Sequence, residues 1–206
     1  MGRIVANLNV FNDYITAVKY DCTEIQNQQV DMERAFRKLG ECWSDTVYVD
    51  TGRALYFAAK GMDKIHTGLR MSVKAVTGLY NDLCEYARTG NPLASVEIPE
   101  YVYTIKEDTE MPRITVSTDP EALADFVDSL QNYIEDTEIT LAKIRNRYVD
   151  IKAYWSGEQY DEFGRVIATA DTEVRRQLDE LDELSFYIEK QYRMLVAATK
   201  RKIDNM

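Results

Sequence analysis

Residues 154–165 read YWSGEQYDEFGR, and residues 42–53 read CWSDTVYVDTGR. Sliding the later stretch back by 112 positions sets Trp155, Ser156, Tyr160, Gly164 and Arg165 on Trp43, Ser44, Tyr48, Gly52 and Arg53, five identities in eleven positions. Each stretch interrupts a chain that carries helical patterning on both sides. The interruption is therefore part of a repeated unit.

The same offset aligns the apolar pattern upstream. Leu123, Val127, Leu130, Ile134, Thr137, Leu141, Ile144, Tyr148, Ile151 and Trp155 follow alternating steps of four and three, and so do Phe11, Ile15, Val18, Cys22, Ile25, Gln29, Met32, Phe36, Leu39 and Trp43. That spacing holds one narrow stripe on one helix face for several heptads, the seam of a helix pair or bundle. Downstream, Leu55, Ala58, Met62, Leu69, Val76 and Leu83 correspond to Ile167, Ala170, Val174, Leu181, Ile188 and Leu195. Each half thus reads as helix, short break, helix, and the fold class is all-α: two long hairpins packed as a four-helix bundle, a pseudo-dimer in a single chain.

The breaks carry local signals. Gly157 permits a tight change of direction, and Ser156 with Gln159 has the form of a capping box for the next helix. Trp155, last on its stripe, is placed to cover the end of the core. In the first copy Ser44 can cap, but Asp45 stands where the glycine would be and Val47 replaces the capping partner, so that turn is expected to differ in detail. At the start of the second half, Asp119 can cap, Pro120 suits the first turn and Glu121 favours the positive end of the helix dipole.

All four prolines, Pro92, Pro99, Pro112 and Pro120, fall in one window. They divide the chain into a first hairpin over residues 1–88, an extended linker over 89–118 and a second hairpin over 119–206. Within the linker, SVEIPEYVYTI and RITVS are rich in β-branched and aromatic residues, which allows short extended segments. A helix of roughly 35 residues is ~50 Å long, whereas about 30 extended residues reach up to ~100 Å. Hairpins paired turn beside turn would need only a few connecting residues. The long linker therefore predicts turn-to-base pairing with the connection along the outside; the same interface made between two chains would give a swapped homodimer.

Composition excludes several functions. The net charge is −10, with 11 basic and 11 acidic side chains in 1–88, 2 and 6 in 89–120, and 12 and 18 in 121–206. That balance lacks the basic stripe that nucleic acid or anionic lipid requires, and the Lys200-Arg201-Lys202 cluster suits the negative end of a helix dipole. No apolar run approaches the ~18 residues of a membrane span, and no secretory signal pattern is present at the N-terminus. Cys22, Cys42 and Cys84 form no paired framework, so a reducing compartment for folding is expected, without disulfides or zinc. Cys22 reads as a small core residue, His66 as a surface or boundary residue, and Asp179, Glu180, Asp182 and Glu183 as a solvated face. No catalytic motif, cofactor site or metal site is expected.

Two helices of about forty residues joined by Trp-Ser-Gly resemble the WXG family of small proteins exported by type VII secretion systems of Gram-positive bacteria, here as two fused units. The resemblance covers nearly the whole chain outside the linker, and RITVSTDPEAL resembles the usual beginning of a family member. It implies helical hairpins paired into a four-helix bundle, export in the folded state and no enzymatic activity. It also implies a secretion ATPase or a co-exported effector as partner. Asp45 departs from the motif. The tyrosine-x-x-x-acid spacing of many family export signals occurs only at Tyr20, Tyr103 and Tyr154, none of them after Leu195. An intracellular helical scaffold or chaperone-like partner is the alternative that the same hairpins would serve.

Overall fold

The structure, a computed structural model, describes residues 2–43, 45–88, 90–112 and 119–204. It contains four long helices, α1 (Gly2–Leu39), α2 (Thr46–Ala87), α3 (Pro120–Ile151) and α4 (Glu158–Asp204), and no strand among the described residues. The fold is all-α, a four-helix bundle made by two hairpins of one chain. Among the described residues no helix is long and apolar enough to cross a membrane.

The heptad stripes account for the core. All ten residues of the first series are buried, from Val18 at 0% exposure to Trp43 at 6%, Gln29 included. In the second series Ile134 and Tyr148 are half-buried and the other eight are buried. The downstream positions follow suit until Leu83 and Leu195, equivalent residues at which both seams become half-buried. Burying this many Leu, Ile, Val and aromatic side chains, at roughly 1.5–3 kcal/mol each, is what holds helices this long in place.

The chain divides into two compact units that cut across the hairpins. Unit 1 comprises Met1–Asn27, Gly61–Val102 and Ile139–Thr172, and unit 2 comprises Gln28–Lys60, Tyr103–Glu138 and Glu173–Met206. Each of the four helices contributes a segment to each unit. In unit 1 the turn of the second hairpin meets the base of the first: the Tyr154 ring stands edge-on to Phe11 at 6.4 Å. In unit 2 the turn of the first hairpin meets the base of the second, with Phe36 6.2 Å from Phe126 and Lys38 bonded to Asp125 at 3.0 Å. The pairing is turn to base in both.

Within unit 1 an ion pair between a buried carboxylate and a half-buried arginine also joins the hairpins. Asp21 on α1 is 1% exposed and accepts from Arg147 on α3 through both Nε and Nη2, the latter at 3.0 Å. A bidentate pair satisfies the buried carboxylate with charge-assisted bonds. On the same helix the Tyr14 hydroxyl donates to Ser72 Oγ on α2 at 2.8 Å, and Ser72 donates in turn to the Leu69 carbonyl.

Linker residues 90–112 contain neither helix nor strand; the RITVS segment, 113–117, lies outside the described residues. In unit 1 the linker lies on α1 and α2. Asn81 brackets Leu93, donating to its carbonyl and accepting from its amide, Gln26 brackets Val102 in the same way, and Ile98 and Tyr101 are buried. In unit 2 the Glu33 carboxylate accepts from the Thr104 and Ile105 amides, from the Thr104 hydroxyl and from Gln29, which itself accepts from Tyr133.

His66 corrects its sequence assignment. It is 3% exposed rather than at the surface, because Tyr101 of the linker covers it, the two rings 5.7 Å apart. A helical period reports only which face a residue occupies, and this face is covered by a segment with no period of its own. Burial, and then the Arg70 charge, lower its pKa from 6.5 to about 4. Burial alone would raise Glu33, but its hydrogen bonds from Thr104, Gln29 and Ile105 outweigh that and hold it below the ordinary carboxylate value of 4.5.

Both shifts have the same sign for stability. A folded-state pKa below the unfolded one means that the unfolded chain takes up the proton first, so stability present above the unfolded value is lost as pH falls. For His66 the window runs from pH 6.5 down to about 4, and Glu33 adds its loss below 4.5. Hydrogen exchange of the linker amides should therefore accelerate, relative to the helix amides at the same pH, between pH 7 and pH 4. His66→Gln should remove the upper part of that response.

Candidate functional site

The two tryptophan turns are built by the same local chemistry. At the end of α1 the Leu39 carbonyl accepts from the amides of Cys42 at 3.0 Å and Trp43 at 2.9 Å; at the end of α3 the Ile151 carbonyl accepts from Tyr154 and Trp155, both at 2.9 Å. These bonds satisfy carbonyls that a helix end would otherwise leave without a partner. They also fold each tryptophan back over its seam, where Trp43 is 6% and Trp155 4% exposed.

The next helix starts differently in the two copies. In the second, α4 begins at Glu158, and the Gly157 carbonyl accepts from Asp161 at 3.0 Å. The N-cap is thus Gly157 and not Ser156, and its φ of 107° is one that side chains rarely tolerate. In the first, Asp45 occupies the equivalent place and caps α2 directly: its Oδ1 accepts from Val47 at 2.9 Å and Tyr48 at 3.1 Å. Asp45 replaces glycine's conformational freedom with a side-chain acceptor, one of the favoured N-cap residues. Ser44 lies outside the described residues; Ser156 is exposed.

The repeated tyrosine and glycine form one device. Tyr48 stacks on Phe36 at 4.4 Å and 12° in unit 2, and Tyr160 stacks on Tyr148 at 4.4 Å and 9° in unit 1. Phe36 and Tyr148 are equivalent under the 112-residue offset. Each stack leans on the repeated glycine: a Cβ on Gly52 would lie 2.9 Å from Phe36 Cζ, and one on Gly164 would lie 2.5 Å from Tyr148 Cζ. Tyr160 also donates its hydroxyl to the Tyr148 carbonyl at 3.0 Å, and burial above all raises its pKa. Arg53 and Arg165 are exposed, Arg53 beside Asp50 at 3.5 Å and Arg165 donating to the Asp161 carbonyl at 3.4 Å.

Gly164→Ala should therefore cost about 1–3 kcal/mol, the range for overpacking, because a rigid ring held in a stack must move. Gly78→Ala is the control. Its Cβ would meet nothing within 4 Å, and alanine should stabilise that helix interior by about 0.5–1 kcal/mol. Thermal melts of the two variants should shift in opposite directions.

Trp155 completes an aromatic cluster in unit 1, stacked on Phe163 at 5.8 Å and edge-on to Tyr160 at 5.5 Å. With Phe163 and Val166 it forms one wall of a groove of about 560 Å³ whose other wall is α2 at Gly68, Ala75 and Leu79. The groove is mainly apolar, with charged residues Lys74, Asp82 and Glu162 in its lining. Such a surface can receive apolar side chains of a partner. Cys22 is buried, and burial, then the Asp21 charge, push its thiol up to about 12, so it stays protonated. Asp179, Glu180, Asp182 and Glu183 are exposed on α4, and among the described residues no three His, Cys, Asp or Glu side chains converge on a metal position.

Comparison of the chain with protein-family models, with curated proteins and with solved structures gives no match.

Proposed function

We propose that the protein is a non-enzymatic type VII secretion substrate or export adaptor, which presents a folded four-helix bundle to the secretion machinery. The observation that carries this reading is the duplicated hairpin, each copy closed by a buried tryptophan and each turn packed on the base of the other copy. One chain thereby has the form that the resemblance to the WXG family assigns to a pair. On this reading the partner is the secretion ATPase or an effector exported with it. On the same reading the protein is made in the cytoplasm of a Gram-positive bacterium and carried to the envelope or beyond.

The apolar groove beside Trp155 supports the reading by offering a partner a preformed surface at a turn the sequence repeats. The test is export itself, measured in the native host with and without the secretion ATPase. The protein should accumulate in the medium of the wild-type strain and stay in the cells of the deletion strain. Retention in both, while a known substrate is exported, would favour an intracellular helical scaffold instead.

A further inference from the structure

In unit 1 the linker is held as a peptide ligand is held. Asn81 and Gln26 each grip both the amide and the carbonyl of a single residue, Leu93 at 2.8 and 3.1 Å and Val102 at 2.7 and 2.9 Å. A side-chain amide used in this way reads extended backbone without regard to sequence, since every non-proline residue presents the same donor and acceptor. Between the two clamps, selectivity falls to Ile98 and Tyr101, whose side chains are buried against the helices.

The fit between strap and helices is incomplete. A space of about 800 Å³ lies between Ser95–Glu100 and the α2 residues Arg70, Lys74 and Thr77, and another of about 160 Å³ lies between Pro99 and the α1 residues Cys22 and Gln26. Thr77 Oγ1 lines the first and His66 lines the second; Thr77 Oγ1 and His66 Nδ1 are both buried without a hydrogen-bond partner among the described residues. Buried polar atoms normally find partners. A peptide that filled these spaces and bonded these atoms would make contacts and hydrogen bonds that the strap does not.

We propose that the α1–α2 face of unit 1 is a groove for an extended peptide, and that residues 93–102 are its built-in, displaceable occupant. The external ligand is a segment of another protein, extended in conformation, with an aliphatic residue followed three positions later by an aromatic one, as Ile98 and Tyr101 are. The tether gives the strap an effective concentration of about a millimolar, so a free peptide of equal quality cannot displace it at micromolar levels. The inference is independent of the export reading.

The test uses the full chain with residues 93–102 replaced by glycine and serine at unchanged length, and a fluorescent peptide NPLASVEIPEYV, residues 91–102, as probe. The replaced chain should bind the probe saturably in fluorescence anisotropy, and the wild type should not at the same concentrations. Gln26→Ala and Asn81→Ala in the replaced chain should each weaken binding roughly two- to tenfold, the worth of a net hydrogen bond. A probe with Ile98 and Tyr101 changed to alanine should lose most of its binding. A replaced chain that keeps its helical circular dichroism but ignores the probe, or takes a scrambled peptide equally well, overturns the proposal.

If replacement unfolds the chain, hydrogen exchange on the wild type decides. The Leu93 and Val102 amides should exchange faster than the neighbouring helix amides, through an opening that leaves the helices protected. Exchange of these amides only by global unfolding would sink the idea. A concentration-dependent dimer held through exchanged straps would also overturn it, by making a second copy of the chain the occupant.

Discussion

Trp155→Ala is expected to lower stability by about 3–5 kcal/mol, the cost of deleting a buried large aromatic and leaving a cavity. Its indole is 4% exposed, stacked on Phe163 and edge-on to Tyr160. The loss therefore includes contacts between aromatic partners as well as apolar burial. Thermal and denaturant melts measure it. A loss below about 1 kcal/mol would place the indole among surface residues, where substitutions usually cost little. Trp155→Phe keeps a ring in the cluster and should recover most of the stability. Export of the phenylalanine variant alongside wild type then separates the architectural role from recognition: a stable but retained variant would make the indole part of the export signal.

Arg147→Met is expected to cost about 3–5 kcal/mol as well, for a different reason. Asp21 is 1% exposed, and removing its bidentate partner leaves an uncompensated charge in the interior. The methionine fills much of the arginine stem's volume, so the loss reports the stranded carboxylate rather than a cavity. Adding Asp21→Asn should recover at least ~1 kcal/mol relative to Arg147→Met alone, because the residue left behind is polar but uncharged. Additive losses in this cycle would refute a coupled pair. The two side chains come from different hairpins, so the cycle also probes how unit 1 is joined.

Much of the fold was legible because it is periodic. The steps of four and three from Phe11 to Trp43 name ten residues that are all buried, and the 112-residue offset locates both turns and the stacked pairs Phe36/Tyr48 and Tyr148/Tyr160. The length of the linker was enough to predict turn-to-base pairing. Asp119 caps α3 as its sequence indicates, accepting from Glu121 and Leu123, whereas at the tryptophan turns the cap lies one residue beyond the serine, at Asp45 and Gly157. Asp21 and Arg147 gave no signal: they lie 126 positions apart, and no helical period selects one distant charge for another. His66 was misplaced for the same reason, being covered by Tyr101 from an aperiodic segment. The role of Gly52 and Gly164 is hidden too, although their repetition marks them; Gly164 accommodates the Tyr148 ring, and Gly52 the Thr109 side chain as well as the Phe36 ring, whose positions only packing determines.

The way the two units draw on the chain bears on the order in which it can fold. Unit 1 needs residues from Met1–Asn27 and from Ile139–Thr172, and unit 2 needs Gln28–Lys60 together with Glu173–Met206. Neither can close while only the first hairpin has been made, so during synthesis the stripe from Phe11 to Leu39 waits uncovered for its partners. Contacts over such separations slow folding through the entropy of closing long loops. Exposed apolar stripes on a nascent chain are also the usual substrates of chaperones and the usual starting points of aggregation. Unit 1 becomes complete once Thr172 has left the ribosome, while unit 2 still lacks its last helical segment. The duplication that gives each unit a segment of all four helices therefore completes the two units at different times.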